Sequence, residues 1–566
     1  MGTSVAWLVV RLVTQLTGNI VDVVNNTVFP GEITLTKKRV LDVVDTGRRK
    51  GFFILPGLVD AHIHVESSLL TPNRFGEAVV RHGTVAVVTD PHEIANVLGV
   101  RGINYMVRSG AASPIKFFFT APSCVPATRF ETSGATLGPS QVGKLLRRRE
   151  VVALGEVMDY EAVLANKRDV MEKIEAARML GKPVDGHCPG LTGDELERYV
   201  NAGISSDHES TSLEEALEKV SLGMRLMIRE GSTARNMEAL IPVALENPDR
   251  CFLVSDDLHP TSLVEGHVDN LLRKAVKLGV DPLDAIRMVS LNPVEHYKLE
   301  VGLLRPGDPG DIVVVENLEN FRVLEVWVDG ERVVANQKIL KKSRSVRRTN
   351  FFVLDRVSPD MFTAKTWLKS GFVKTRVIQV LEGQITTKHV LMNLKVVNHE
   401  IQPDPGRDVV KLAVVERYGH GHVANCFVRG LGLSRGAIAS SVSHDSHNIV
   451  VAGTNGFDMA KAVNKIREKK GGLVAVLDGK VLEYLELPVA GLMSDQNLEK
   501  ILEKFRNLDK ESRSLGCVPS SSLATLSFLT LVVVPELKVS DRGLFDVNKF
   551  CLTELAVTNE DFDNKL

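Results

Sequence analysis

Phe52-Phe-Ile-Leu-Pro-Gly-Leu-Val-Asp-Ala-His-Ile-His64 decides how the rest of the chain is read. Its apolar run, Phe52–Val59, has the length of a buried strand, and histidines follow at i and i+2 in His62 and His64. In an extended segment those two side chains leave the same face, so both imidazoles project together from one strand end. Two neutral imidazoles at that spacing can chelate one metal ion. The HxH pattern is common by chance, so its weight depends on what neighbouring strands carry.

Similar apolar runs recur along the chain: Val85–Thr89, Ile115–Thr120, Val151–Glu156, Val184–His187, Gly203–Asp207, Arg225–Ile228 and Cys251–Ser255. Between them lie stretches of helical length and period, such as Asn73–His82, Tyr160–Leu180 and Leu213–Gly223. This alternation predicts an α/β fold whose centre is a (β/α)8 barrel. Periodicity alone also admits a doubly wound open sheet.

The carboxyl ends of these strands favour the barrel. The fourth ends at Glu156, the fifth at His187, the sixth reaches His208 and the eighth reaches Asp256. Barrel enzymes assemble their sites on that rim. Any one of these residues alone reads as ordinary surface polarity. Together with His62 and His64 they form a nitrogen-and-oxygen donor set suited to divalent metals rather than to thiolate-bound ions.

Outside the barrel segment, short strands precede it (Asn19–Val24, Glu32–Leu35, Val40–Val44) and others follow (Asp311–Val315, Val323–Gly330). The two patches are expected to pair as one small β domain, residues 1–55 with 303–340, around a barrel at 56–302. The basic run Lys338–Arg348 reads as a solvated linker. Residues 350–566 form a C-terminal mixed α/β domain with one clear helix, Met459–Lys470.

Composition removes several function classes. The 566 residues exceed what a single core usually organises. Lys+Arg 69 against Asp+Glu 70 leaves a net charge of −1, which argues against a protein that coats nucleic acid or an anionic membrane. With 44% hydrophobic and 25% charged residues, wholesale disorder is excluded. The six cysteines form no CxxC pair, so neither a disulfide framework nor a zinc knuckle is expected. Arg11 interrupts the apolar run Val5–Val10 near the start, and Leu523–Val534 stops at Pro535. Neither reaches the roughly 20 residues of a membrane span, so a cytoplasmic protein is expected.

The order HxH, acidic residue on strand four, His, His, Asp resembles the amidohydrolase superfamily, as does Pro56-Gly-Leu-Val-Asp-Ala-His-Ile-His. Gly302-Leu-Leu-Arg-Pro-Gly-Asp-Pro-Gly-Asp-Ile-Val-Val is similar to that superfamily's return into its flanking β domain. Four longer stretches narrow the resemblance to the adenine deaminases of bacteria and archaea. They are His62-Ile-His-Val-Glu-Ser-Ser-Leu-Leu-Thr-Pro, Thr89-Asp-Pro-His-Glu-Ile-Ala-Asn-Val, Ser255-Asp-Asp-Leu-His-Pro and Arg435-Gly-Ala-Ile-Ala-Ser-Ser-Val-Ser-His-Asp-Ser-His-Asn.

That resemblance implies two divalent metal ions, manganese or iron before zinc. His62, His64 and Asp256 would hold one ion, His187 and His208 the other, with Glu156 bridging where many relatives use a carboxylated lysine. It implies a hydroxide attacking C6 of adenine to give hypoxanthine and ammonia, with Asp256 carrying the proton and His92 sharing that task or polarising the ring. Glu66, Ser67, Arg229 and Asp257 lie just beyond strand ends and are candidates to read the purine edge. The partner is a small molecule, adenine, with neither nucleic acid nor membrane, and a homo-oligomer, preferably a dimer, is expected. Ser443–His447 has three readings: a second metal site, a cap over the barrel mouth, or internal polar packing. The cap is preferred. His420 and His422 form a further HxH that stays unassigned. The alternatives are a dihydroorotase-like or dihydropyrimidinase-like cyclic amidase, disfavoured because no lysine ends strand four, and a catalytically dead barrel acting as a scaffold.

Overall fold

The computed structural model describes residues 14–47, 51–232, 234–518 and 521–557; the apolar run Val5–Val10 lies outside them. The chain forms two compact units. The first takes residues 1–91, 104–123 and 138–346, and the second takes 92–103, 124–137 and 347–566.

In the first unit, eight parallel strands run in sequence order around a barrel. They are Leu58–His64, Thr84–Thr89, Lys116–Ala121, Val151–Val157, Val184–Gly186, Ser206–Asp207, Arg225–Arg229 and an eighth in two pieces, Cys251–Val254 and Asp256–Asp257. Leu58–His64, Thr84–Thr89 and Val151–Val157 are buried at every position, as parallel strands covered on both faces must be. The second piece of the eighth strand closes the ring: Asp256 pairs with Ile63 and Asp257 with His64, both in parallel.

The flanking sheet draws strands from both sides of the barrel. Its order is 338–339, 331–335, 323–328, 312–315, 53–56, 14–22, 27–35 and 40–45. Ile20, Ile33, Ile54, Ile312, Val314 and Trp327 share its core. Here the structure corrects the expected first strand. Phe53–Pro56 belongs to this sheet, antiparallel to Ile312–Val315, and the barrel strand starts only at Leu58. Gly57 is the crossing point. A Cβ there would lie 2.6 Å from a Val85 methyl and 3.0 Å from Asp311 Cβ, so only glycine fits between the layers.

Two other expectations change. Tyr160–Leu180 is two helices, Tyr160–Leu164 and Arg168–Met179, because Asn166 takes φ 51° and the Lys167 amide turns back to the Ala162 carbonyl. The basic run is not a solvated linker throughout: Lys338–Ile339 is an edge strand, and the Ser343 amide and hydroxyl both donate to Glu77.

The second unit is built on a nine-stranded sheet ordered 400–401, 387–397, 370–380, 423–429, 409–415, 449–453, 437–440, 472–477 and 480–486. The helix Gly456–Lys469, capped by Asn455 accepting the Asp458 amide at 2.8 Å, buries Met459, Val463 and Ile466 in its core. It is not alone: Leu498–Ser514 and Ser522–Phe528 are helices as well. Among the described residues no helix is long and apolar enough to cross a membrane, and all six cysteines are free.

Candidate metal centre

Six side chains converge at the carboxyl rim of the barrel. Glu156, ending the fourth strand, presents Oε1 to His64 Nε2 at 3.3 Å and Oε2 to His187 Nδ1 at 2.7 Å and His208 Nε2 at 3.2 Å. Asp256 Oδ1 faces His62 Nε2 at 3.4 Å and His64 Nε2 at 3.3 Å. His62 stacks on His208 with centroids 4.2 Å apart. Three overlapping triads meet the spacing a metal ion requires: His62, His64 and Glu156; His62, His208 and Asp256; Glu156, His187 and His208.

The carboxylates dominate the electrostatics of the cluster. His64 Nδ1 lies 3.3 Å from the Asp90 carbonyl, which turns Nε2 toward Glu156 and Asp256, and against the effect of burial those carboxylates raise His64 well above its usual range. His62 Nε2 is buried with no well-formed hydrogen bond among the described residues. Burial alone would raise both carboxyls. Contacts with His187 and His208 nevertheless hold Glu156 well below its usual range, and those with His62, His64 and Arg229 do the same for Asp256. Two anionic carboxylates among four imidazoles, all buried except the partly exposed His187, form a donor set suited to a divalent metal.

Backbone anchors explain why these donors hold still. The Glu156 amide donates to Asp90 Oδ2 at 3.1 Å, and its carbonyl accepts Ser123 Oγ–H at 2.5 Å. Asp207 fixes strands five and six together: it accepts the Cys188 amide at 3.0 Å, the Glu209 amide at 3.0 Å and the Ser210 amide at 3.1 Å. Lys219 is almost wholly buried and donates to Asp207 Oδ2 at 2.9 Å, Glu215 Oε1 at 2.7 Å and the Cys188 carbonyl at 2.9 Å. Lys219→Met would leave Asp207 as an unpaired buried charge. Its expected cost is about 3–5 kcal/mol, read as a lower denaturant midpoint of the metal-free protein. An unchanged midpoint would show that Asp207 is paired elsewhere.

Asp256 opens the second piece of the eighth strand at φ 55°, in the left-handed region that aspartate tolerates better than most residues.

The remaining candidates separate. Glu66 and Ser67 lie in the short helix Val65–Ser68, both buried, and the Ser67 hydroxyl donates to Asp257 Oδ1. Arg229 ends the seventh strand, buried and ion-paired to Glu209 and Asp256. Glu209 was absent from the sequence reading. It lies 3.3 Å from His208 Nε2 and 3.7 Å from His187 Nδ1, and pairing with Arg229 offsets burial to hold it at about 2. Neither an apolar run nor a motif marks it, because it stands just beyond the end of strand six. Strand six is only two residues long, so the chain is already turning at that point.

His92 opens the helix His92–Leu98 and groups with the second unit, where its Nε2 lies 3.8 Å from Glu93 Oε1. In that unit Glu93 also contacts His444 Nδ1 and His447 Nε2, all three buried. The spacing is that of a metal triad. The Ser443 amide, however, donates to His447 Nδ1 at 3.2 Å, so a neutral His447 carries its proton on Nε2 and spends it on Glu93. Burial pushes His447 down to about 4 and keeps it neutral. That tautomer leaves His447 no lone pair for an ion, which counts against the second-metal reading of the segment. His420 and His422 are half exposed and lean on Glu416 and Asp541.

A closed parallel barrel with this donor set on its carboxyl rim defines a metal-dependent hydrolase, and residues 53–333 match the amidohydrolase family. Residues 384–551 match the adenine deaminase C-terminal domain. An adenine deaminase of Methanothermobacter thermautotrophicus is 46% identical over 543 residues, 96% of this chain and 99% of that protein. One from Methanosarcina acetivorans is 45% identical over 547 residues, 95% and 98% of the two chains, and one from Salinibacter ruber 47% over 495, 87% and 90%. The chain belongs to the adenine deaminase family. Among solved structures, a β-aspartyl dipeptidase of Fervidobacterium islandicum AW-1 is similar with a TM-score of 0.44 at 15% identity, covering 58% of this chain and 98% of that one.

Proposed function

We propose that this chain hydrolyses adenine to hypoxanthine and ammonia, using divalent metal held by His62, His64, Glu156, His187, His208 and Asp256. The observation that carries the reading is identity of 40–47% to adenine deaminases along most of the chain, joined to the six-residue rim cluster. Bound divalent metal supplies a water whose pKa falls from 15.7 toward about 7, a nucleophile available at neutral pH.

The protein's own groups do the rest. Glu156 directs its two oxygens at different imidazoles, so it would hold metal together with His62, His64 and Asp256 on one side and with His187 and His208 on the other. The C6 amino group leaves only when protonated. Asp256 takes the proton released by the attacking water and returns it to the departing nitrogen as ammonia forms. Ser67 and Asp257, hydrogen-bonded to each other just past the first and eighth strands, together with Glu66, offer a donor and acceptors for the purine edge. Manganese or iron suits the mixed imidazole and carboxylate set better than thiolate-seeking ions do.

Three broader assignments accompany this reading: a cytoplasmic dimer, His92 sharing the proton task or polarising the ring, and a division into 1–55 with 303–340, 56–302 and 350–566.

Ammonia release after expression with manganese tests the reaction, with adenine, adenosine and dihydroorotate supplied separately. Adenine should turn over faster than adenosine by roughly 10²-fold or more in kcat/KM, since a site fitted to the bare base must exclude a ribose. Comparable rates on the nucleoside, or turnover of dihydroorotate instead, would reassign the substrate.

A further inference from the structure

We infer that Arg229 and Glu209 are positioning residues that hold the Asp256 carboxylate in register for metal and proton, rather than readers of the purine. The inference rests on the proposed role of Asp256 and explains how its side chain keeps that role.

The two oxygens of Asp256 are divided. Oδ1 faces His62 and His64 at 3.4 and 3.3 Å, on the side of the cation site. Oδ2 accepts from Arg229 Nη1 at 3.2 Å. A carboxylate gripped at one oxygen cannot rotate to offer the other, so the Arg229 contact sets which oxygen meets the imidazoles. That restraint matters because Asp256 opens the two-residue second piece of the eighth strand at φ 55°, where the ladder with the first strand is only two residues long.

Arg229 is itself clamped. Nη2 donates to Glu209 Oε2 at 2.9 Å, and Nη1 donates to Glu209 Oε1, a two-point fork that fixes the guanidinium plane. Glu209 in turn approaches His208 and His187 at 3.3 and 3.7 Å. The chain of contacts therefore runs from the imidazoles of strands five and six, through Glu209 and Arg229, to Asp256 on strand eight. Arg229 also occupies both oxygens of Glu209, a buried carboxylate close enough to the imidazoles to compete as a ligand. Three of the five guanidinium N–H groups are spent on Glu209 and Asp256, and Nε has no hydrogen-bond partner among the described residues, so most of the donor capacity of Arg229 is turned toward carboxylates of the protein.

Manganese is the probe, and the variants are Arg229→Met, Arg229→Lys, Glu209→Gln, Asp256→Asn and the double variant Arg229→Met/Asp256→Asn. Manganese affinity of the apoprotein is measured beside kcat and KM for adenine. Outer-sphere partners of metal ligands are typically worth about 10–100-fold. Arg229→Met should weaken manganese binding and lower kcat by about that factor, with KM for adenine within about threefold of the unmutated enzyme. Arg229→Lys should recover part of both, since an ammonium can meet Oδ2 but cannot fork onto Glu209. Glu209→Gln should move both quantities in the same direction by less. In the Asp256→Asn background, Arg229→Met should add almost nothing to the loss of manganese affinity.

A rise of tenfold or more in KM for adenine, with manganese affinity and kcat intact, would overturn the inference in favour of purine reading. Additive losses in the double variant would also overturn it, because Arg229 would then act independently of Asp256. If Arg229→Met does not fold, the lysine and Glu209→Gln variants carry the same comparison. Failure of the parent reading shows separately, in the unmutated enzyme, as no ammonia from adenine; the manganese cycle still decides the Asp256 contact.

Discussion

Glu156→Gln is expected to lose bound metal and turnover together, and by more than any other single change to the rim. The residue is 3% exposed and its oxygens are split between His64 on one side and His187 and His208 on the other. Glutamine keeps the size but removes the negative charge that would offset the bound divalent metal. It also turns an amide –NH2 toward an imidazole nitrogen that needs its lone pair for metal. Losing several kcal/mol of cation-based stabilisation corresponds to roughly 10³-fold or more in rate. Metal per chain, measured by elemental analysis, should drop by at least one ion while the fold persists by circular dichroism. Two ions retained at near-normal affinity would remove Glu156 from the bridge.

The second large effect separates ligation from proton transfer. If Asp256 served only as a ligand, Asp256→Asn would lower occupancy, and excess manganese would restore most of the rate. Asparagine cannot accept and return a proton near neutral pH. General acid–base help is typically about 10²–10⁴-fold, so the metal-saturated variant should stay slower by at least 10². Asp257 is the control. It is partly exposed and occupied by the Ser67 hydroxyl, so Asp257→Asn should raise KM for adenine and leave metal content unchanged. Full recovery of Asp256→Asn at saturating manganese would end the shuttle role. Loss of metal from Asp257→Asn would mean the wrong member of the pair was chosen.

What the sequence disclosed follows from which contacts are local. The i, i+2 geometry of His62 and His64 is a property of any extended strand, and strand ends carrying Glu156, His187, His208 and Asp256 are visible as polar residues terminating apolar runs. The barrel was legible for the same reason, because each strand–helix unit carries its own periodicity. Gly57 hid the handover between sheet and barrel, since an unbroken apolar run does not reveal that its halves serve different layers. Glu209 was hidden because it lies past the end of strand six, in a turn that no periodicity marks. The pairing of Glu93 with His444 and His447 spans some 350 positions, and no local pattern announces such a contact. Much of the second unit was missed because its long hairpin, Ser370–Val380 with Thr387–Val397, alternates exposed and buried positions only irregularly.

The flanking sheet, assembled from segments on both sides of the barrel, also sets a timetable for biosynthesis. Its first four strands leave the ribosome within the opening sixty residues, and Phe53–Pro56 then forms the edge that awaits Ile312–Val315. At about 5–20 residues per second, the roughly 250 intervening residues take on the order of 10–50 s to emerge. For that interval a Phe-Ile-Leu edge stands without its partner, the kind of template on which nascent chains stick to one another. Pro56, which has no amide hydrogen to offer a stranger, closes one end of that edge. The barrel is thus made while its own supporting sheet is half complete, and a chain halted before residue 312 ends its life with that edge bare.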